Sequence, residues 1–293
     1  MMRSLYSAVS GLRNHQTRMD VIANNIANVN TVGYKTSRVT FKDVYSETIA
    51  PATAPTQIGG VLGGKNAMQV GLGVTLNTID IIFTRAPAQL TNRTLDLAIG
   101  GEGFFVVQNA FGTKLYTRAG NFYTDKEGYL VTGDGMYVLG YVDDPPGPDA
   151  PNITDFDDLQ FINLRHPEAD DDPPQAYSMI SIDSAGVITA LDSRDGEKYV
   201  LGQIALALFD NVDGLQKVGN NKYIVSNNSG PAQFTIAAVR GAGEISPSAL
   251  EMSNVDLANE FSDMIVTQRG FQANSRVITV SDTMLEELVN LKR

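Results

Sequence analysis

Apolar residues near the start of the chain recur in alternating steps of four and three: Leu5, Val9, Leu12, then Met19, Ala23 and Ile26, with Gln16 the one polar member of the series. A 3.5-residue period is the seam of a coiled-coil-like helix. It predicts a helix from about Ser4 to Asn28, ended by Asn28-Val29-Asn30-Thr31 and Gly33. The other end carries the same signal in Leu257, Phe261, Met264, Gln268, Phe271, Ser275, Ile278, Asp282, Leu285 and Val289. Ser253 or Asn254 is the expected N-cap, and Lys292 and Arg293 suit the negative end of the helix dipole. At roughly 37 residues this helix would be about 55 Å long, well beyond ordinary globular helices.

The middle reads differently. From Asp96 to Gly140, short apolar and aromatic runs such as Phe104-Phe105-Val106-Val107 alternate with turn signals such as Asp125-Lys126-Glu127-Gly128 and Gly133-Asp134-Gly135. The same grammar returns from Ser178 to Val239, with Asp183-Ser184-Ala185-Gly186 and Gly219-Asn220-Asn221. Strands of about five residues between such turns predict an antiparallel sandwich or barrel. Pro145-Pro146-Gly147-Pro148 and Asp170-Asp171-Asp172-Pro173-Pro174 are polar breakers that cannot join a central strand. Residues 50–75 are rich in Gly and Pro with little periodicity, which is the pattern of a linker.

The expected fold class is therefore α+β: long terminal helices in a coiled-coil-like inner domain, and a central, mainly antiparallel β domain. The predicted division is 1–30 with 254–293 for the helical domain, 31–90 for an extended linker, and 91–253 for the β domain, with a loop-rich insertion at 143–177. Each helix carries an apolar stripe, so the two are expected to pack on each other and on copies from other subunits. Leu5, Val9, Leu12, Gln16, Met19, Ala23 and Ile26, facing Leu257, Phe261, Met264, Gln268, Phe271, Ile278 and Leu285, are the candidate self-assembly residues. Amides at Gln16, Gln268 and Asn24 can fix register, as a buried Asn does in coiled coils.

Composition narrows the chemistry. A net charge of −11 opposes binding to nucleic acid or anionic membrane, both polyanions. With no cysteine and only His15 and His166, thiolate sites, Cys nucleophiles and multi-His metal sites are excluded within one chain. No run approaches the ~18 apolar residues of a membrane span, and Met1 to Arg18 has no signal-peptide core, so any export is expected to use a route that reads no cleavable signal. Gly100-Gly101-Glu102-Gly103 lacks the Lys-Ser/Thr pair of a phosphate loop and reads as a strand turn. Asp170-Asp171-Asp172 lacks the Gly and distal Glu of a calcium loop. No cofactor and no catalytic set is expected; the competing class is a β-rich hydrolase working through two of the 33 acidic residues.

Three stretches carry a resemblance. Leu5-Tyr6-Ser7-Ala8-Val9-Ser10-Gly11-Leu12 and Met19 through Lys35, with Asn24, Asn25, Asn28, Gly33, Tyr34 and Lys35 as its signature positions, resemble the N-terminal motif of bacterial flagellar axial proteins of the rod and hook class. Gly100 through Phe105 and Tyr116 through Phe122 resemble the central motifs of that family, and Glu251 through Asp256 with Gln268 through Ser275 resemble its C-terminal motif. The resemblance implies a self-assembling tube with the terminal helices inside and the β domain outside, located in the extracellular hook and basal body. It implies the flagellar type III export apparatus, the distal rod, the hook cap and the hook–filament junction proteins as partners. The ending Phe271 to Arg293 most resembles hook subunits, which form a flexible torque-transmitting joint; the rigid distal rod is the alternative. In the hook reading, the Gly-rich segment 59–73 is the expected flexible element between layers.

Overall fold

The structure, a computed structural model, describes residues 2–54, 63–142, 158–165, 179–191 and 198–291. It is α+β, with one long helix at each end of the chain and a large antiparallel β region between them. The polar loops expected at Asp143 to Pro151 and His166 to Pro174, most of the insertion 143–177, Gly59-Gly60, Lys292 and Arg293 lie outside the described residues. The chain forms two compact units, one of Met1–Ala27, Ser37–Ile81 and Val255–Arg293, the other of Asn28–Thr36 and Ile82–Asn254.

The first unit holds α1 (Met2–Ala27), β1 (Ser37–Asp43), β2 (Ser46–Ala50), β3 (Met68–Gly71), β4 (Val74–Ile81) and α2 (Leu257–Asn290). At about 1.5 Å per residue, the 34 residues of α2 span about 51 Å. Its N-cap is Asp256, whose carboxylate accepts from the amides of Ala258 and Asn259. The expected caps fail for a physical reason: the Asn254 amide is committed to the backbone of Thr36 and Ile82, and Asp256 places a charge at the positive end of the dipole. Residues expected as linker are paired strand in this unit. β1 runs antiparallel to β4 from Ser37↔Ile81 to Asp43↔Val74, and β2 pairs β3 as a separate ribbon.

The second unit contains sixteen strands among its described residues. They are β5 (Ala88–Leu90), β6 (Leu97–Ile99), β7 (Phe104–Gln108), β8 (Lys114–Thr117), β9 (Phe122–Thr124), β10 (Leu130–Thr132), β11 (Tyr137–Tyr141) and β12 (Gln160–Phe161), then β13 (Met179–Ile182), β14 (Val187–Leu191), β15 (Lys198–Leu208), β16 (Gln216–Gly219), β17 (Lys222–Ile224), β18 (Gln233–Ile236), β19 (Ile245–Pro247) and β20 (Ala249–Glu251). Twelve form one antiparallel sheet along β13-β14-β15-β11-β7-β8-β17-β16. The eleven-residue β15 is its spine, bonded in turn to β14, β11, β7 and β18. Two small pairs, β19 with β6 and β20 with β5, close the unit with residues from near its two sequence ends.

The core of this unit is aliphatic with Phe105 and Phe122: Leu97, Ile99, Val107, Leu130, Val138, Ile162, Ile188, Leu201, Ile204 and Leu206 are buried together. Burying such side chains is worth about 1.5–3 kcal/mol each. Beside it, Phe104 meets Phe83, Phe209 and Tyr223 edge-on, with centroids 5.6, 5.7 and 5.7 Å away. Such pairs hold orientation as well as volume.

Candidate assembly surface and signature residues

The contact between the helices of the first unit is antiparallel. Asn25 meets Glu260, Arg18 meets Asp263, His15 meets Gly270 and Gly11 meets Asn274, so position counts down one helix as it counts up the other. The buried stripe is Ala8, Gly11, Asn14, Ile22 and Asn25 on α1, with Thr267 and Ser281 on α2. These are mostly small or polar residues. Small side chains let two backbones approach closely, and the polar ones that remain find partners: Asn14 donates to the carbonyl of Val74, and Arg18 sits 3.1 Å from the Asp263 carboxylate.

The seam expected from apolarity is thus divided. Leu5, Leu12, Met19 and Ile26 on α1 and Met264, Ile278 and Leu285 on α2 are half-buried, flanking the contact. Val9, Gln16, Ala23, Leu257, Phe261, Gln268 and Phe271 are exposed in the single chain. Within the single chain the closest approach of the two helices is made by the small-residue stripe around Gly11 rather than by Leu257, Phe261 and Phe271. Ile265 joins Leu257 and Phe261 on the exposed side at 58%, one turn from Phe261. The β2–β3 ribbon is also uncovered, with Tyr45, Ile49, Met68 and Val70 exposed.

The signature residues hold chain crossings. Asn25 is 1% exposed; its side chain accepts from the amide of Ser37 and donates to the carbonyl of Ser37 and to Glu260. Burial pushes the Glu260 carboxyl above its usual range, against the opposing pull of the Asn25 bond. Asn24 is an exposed position on α1. Asn28 opens a turn in which Thr31 donates to both its backbone and its side chain. Gly33 has φ +68°, and a Cβ there would lie 2.7 Å from the amide nitrogen of Ala119. Tyr34 is buried under the Lys217 ammonium, 4.4 Å from its ring centroid.

Lys35 is the least expected of them, a lysine with no exposed surface. Its Nζ donates to Glu251 Oε1 at 2.7 Å and to the carbonyl of Thr84 at 2.8 Å. Glu251 also accepts from the amide of Ala86, and its Oε2 lies 3.4 Å from Nη1 of Arg118, which donates onward to Gly101. Two buried cations thus share one carboxylate. Burial draws the Lys35 ammonium below its ordinary value, and Glu251 offsets only part of that. The hydroxyl of Tyr223 is buried without a hydrogen-bond partner among the described residues, and burial raises its pKa well above the ordinary value. Sequence reasoning missed Glu251 and Arg118, though both lie inside the quoted motifs. Among the described residues, no group of His, Asp and Glu is placed to hold a metal ion.

The terminal helices pair antiparallel and leave Val9, Leu257, Phe261 and Ile265 exposed in the single chain. The chain belongs to the flagellar rod/hook family. Residues 5–35 match the flagella basal body rod protein model, 98–190 the flagellar hook protein FlgE/F/G D1 domain, and 246–291 the C-terminal model of flagellar basal body rod FlgEFG proteins. The chain is 48% identical over 294 residues to the flagellar basal-body rod protein FlgG of Bacillus subtilis strain 168, covering all of both chains. It is 35% identical over 295 residues to FlgG of Borreliella burgdorferi, and 30% identical over 447 residues to the flagellar hook protein FlgE of the same organism, again covering all of each chain. The chain is a structural subunit of the flagellar axis.

Proposed function

We propose that this chain is a distal rod subunit, which polymerises into the rigid drive shaft of the flagellar basal body. The observation that carries the reading is length together with identity. The rod relatives align end to end over 294 and 295 positions, whereas the alignment with the hook relative runs to 447 against the 293 residues here. The hook relative therefore has well over a hundred residues with no counterpart in this chain. That favours the rod over the flexible hook suggested by the ending Phe271 to Arg293.

The exposed sides of the helices supply the contacts between copies. Leu257, Phe261 and Ile265 on α2, with Val9 on α1, would be desolvated by neighbouring subunits, and several such burials at about 1.5–3 kcal/mol each hold a subunit in place. Repetition of one heterologous contact generates an open helical polymer. The ribbon of β2 and β3 also needs cover, because an isolated two-stranded hairpin is only marginally stable in water. The division into helical wall and outer β body, the remaining candidate assembly residues, and passage through a signal-independent export route with other axial proteins as partners belong to this same reading.

The test is a double substitution on the uncovered side of α2. Phe261→Glu with Ile265→Glu is expected to abolish polymerisation while leaving the helix content and thermal unfolding of the monomer unchanged. Polymers forming as readily as in the unaltered chain would refute the assignment of this surface.

A further inference from the structure

The chain enters or leaves the β unit next to Thr36, Ile82 and Asn254. These three residues are bonded to one another. The Ile82 amide donates to the carbonyl of Thr36, the Thr36 amide donates to Oδ1 of Asn254, and Nδ2 of Asn254 donates to the carbonyl of Ile82. One turn of strand away, Glu251 gathers the same three segments: its carbonyl accepts from the Gly33 amide, and its carboxylate accepts from Lys35 and from the Ala86 amide. All of these bonds except the backbone bond from Ile82 to Thr36 depend on Glu251 or Asn254, and the main ion pair of the seam joins positions 216 apart in sequence.

The large sheet of the unit does not share that dependence. The twelve-stranded sheet is built wholly from residues between Phe104 and Ile236, with strands that mostly pair near neighbours, and its spine β15 needs nothing beyond β18. Closing a contact across more than two hundred residues carries a loop-closure entropy that local hairpins avoid. Burying Lys35 before Glu251 arrives would leave a cation in an apolar interior without its counter-charge, which is strongly disfavoured. Arg118, 4% exposed and 5.1 Å above the Phe104 ring, repels a second cation at the same place until the carboxylate is present.

We infer that Glu251 and Asn254 form a closing latch, so that the collar 31–36 and the segment 82–87 dock onto an already folded sheet only when residues 249–254 are in place. The collar is thus the last part of the β unit to become protected, and the whole chain up to Asn254 is required before it does. The device is independent of whether the polymer is rod or hook.

Pulsed hydrogen exchange during refolding of the full chain tests this. Amides of β7 and β15 are expected to gain protection first, and those of Gly33, Thr36, Ile82 and Ala86 in a later phase at least ten-fold slower. Glu251→Gln should slow the late phase at those four amides a further ten-fold or abolish it, while β7 and β15 gain protection during refolding at the unaltered rate. If Glu251→Gln does not fold, Asn254→Ala reads the same seam and should slow the late protection of Thr36 and Ile82 alone. Protection gained everywhere in one phase in the unaltered chain, or early protection of β7 and β15 slowed as much as the late amides in the variant that folds, overturns the latch.

Discussion

Gly11 of α1 lies so close to Asn274 of α2 that a Cβ on the glycine would sit 2.6 Å from the Asn274 Nδ2. Four residues along α1, the relation is reversed: a Cβ on Gly270 would lie 2.7 Å from Cε1 of His15. Each helix thus offers a glycine to a polar side chain of the other, which sets both spacing and register. Gly11→Leu is expected to destabilise the helix pair by about 1–3 kcal/mol, the usual range for overpacking. Far-UV circular dichroism on heating would register this as a lower midpoint; an unchanged midpoint would mean the contact does not set the spacing.

His15 at that contact is a pH-sensitive element. Burial, then the charge of Arg18, hold its imidazole below the ordinary 6.5. A base with a lowered folded pKa costs nothing while neutral in both states; the penalty begins as pH falls through 6.5 and saturates below the folded value. Glu260 acts with the opposite sign, since its raised pKa favours the folded state as acidity increases toward its ordinary 4.5. The His15 contribution is therefore expected to lower the stability of the first unit as pH falls through 6.5, and His15→Gln to lose less over that fall. Urea titrations of both proteins at several pH values measure the difference; equal losses would remove His15 from the account.

In the buried ionic cluster the two ends of one bond are not equivalent. Glu251→Gln leaves Lys35 and Arg118 facing each other without a counter-charge, and a loss of about 3–5 kcal/mol is expected. Lys35→Met leaves Glu251 paired with Arg118 and removes a like charge, so its loss should be clearly smaller. Equilibrium denaturation of the two variants gives the comparison, and the reverse order would contradict the geometry described.

Gly33 is required by both backbone and space. Its φ of +68° disfavours any side chain, and the atoms a Cβ would meet are backbone atoms of Arg118 and Ala119 that cannot swing away. The left-handed conformation alone costs about 1–2 kcal/mol for an L-residue. Gly33→Ala should lower the unfolding midpoint of the β unit more than Gly135→Ala, which has φ +76° and no atom within 4 Å of its Cβ position.

The helices were legible because a 3.5-residue period over seven or more positions has no other reading, and the turn grammar of the middle segment foretold an antiparallel region. The face that the helices bury was not legible. Apolar periodicity ranks residues by hydrophobicity, whereas Ala8, Gly11 and Asn14 were selected by how closely two backbones can approach. β1 and β4 were hidden for another reason: their residues, with Arg38, Lys42, Asn77 and Asp80 among them, are too polar and too near a Gly-rich stretch to stand out from a linker. Lys35 stood out as a motif position, but its partner lies 216 residues away, and no local pattern connects them. Asn254, like Ser253 an expected N-cap because such residues cap helices, has its amide bound instead to Thr36 and Ile82.

The central claim is that this chain polymerises into a rigid tube, and electron microscopy of the purified protein induced to assemble tests it most directly. Straight tubes of constant width are the expected result. Curved tubes would contradict the rod assignment and return the chain to the hook reading, and dispersed monomers under every condition that assembles its relatives would contradict self-assembly itself.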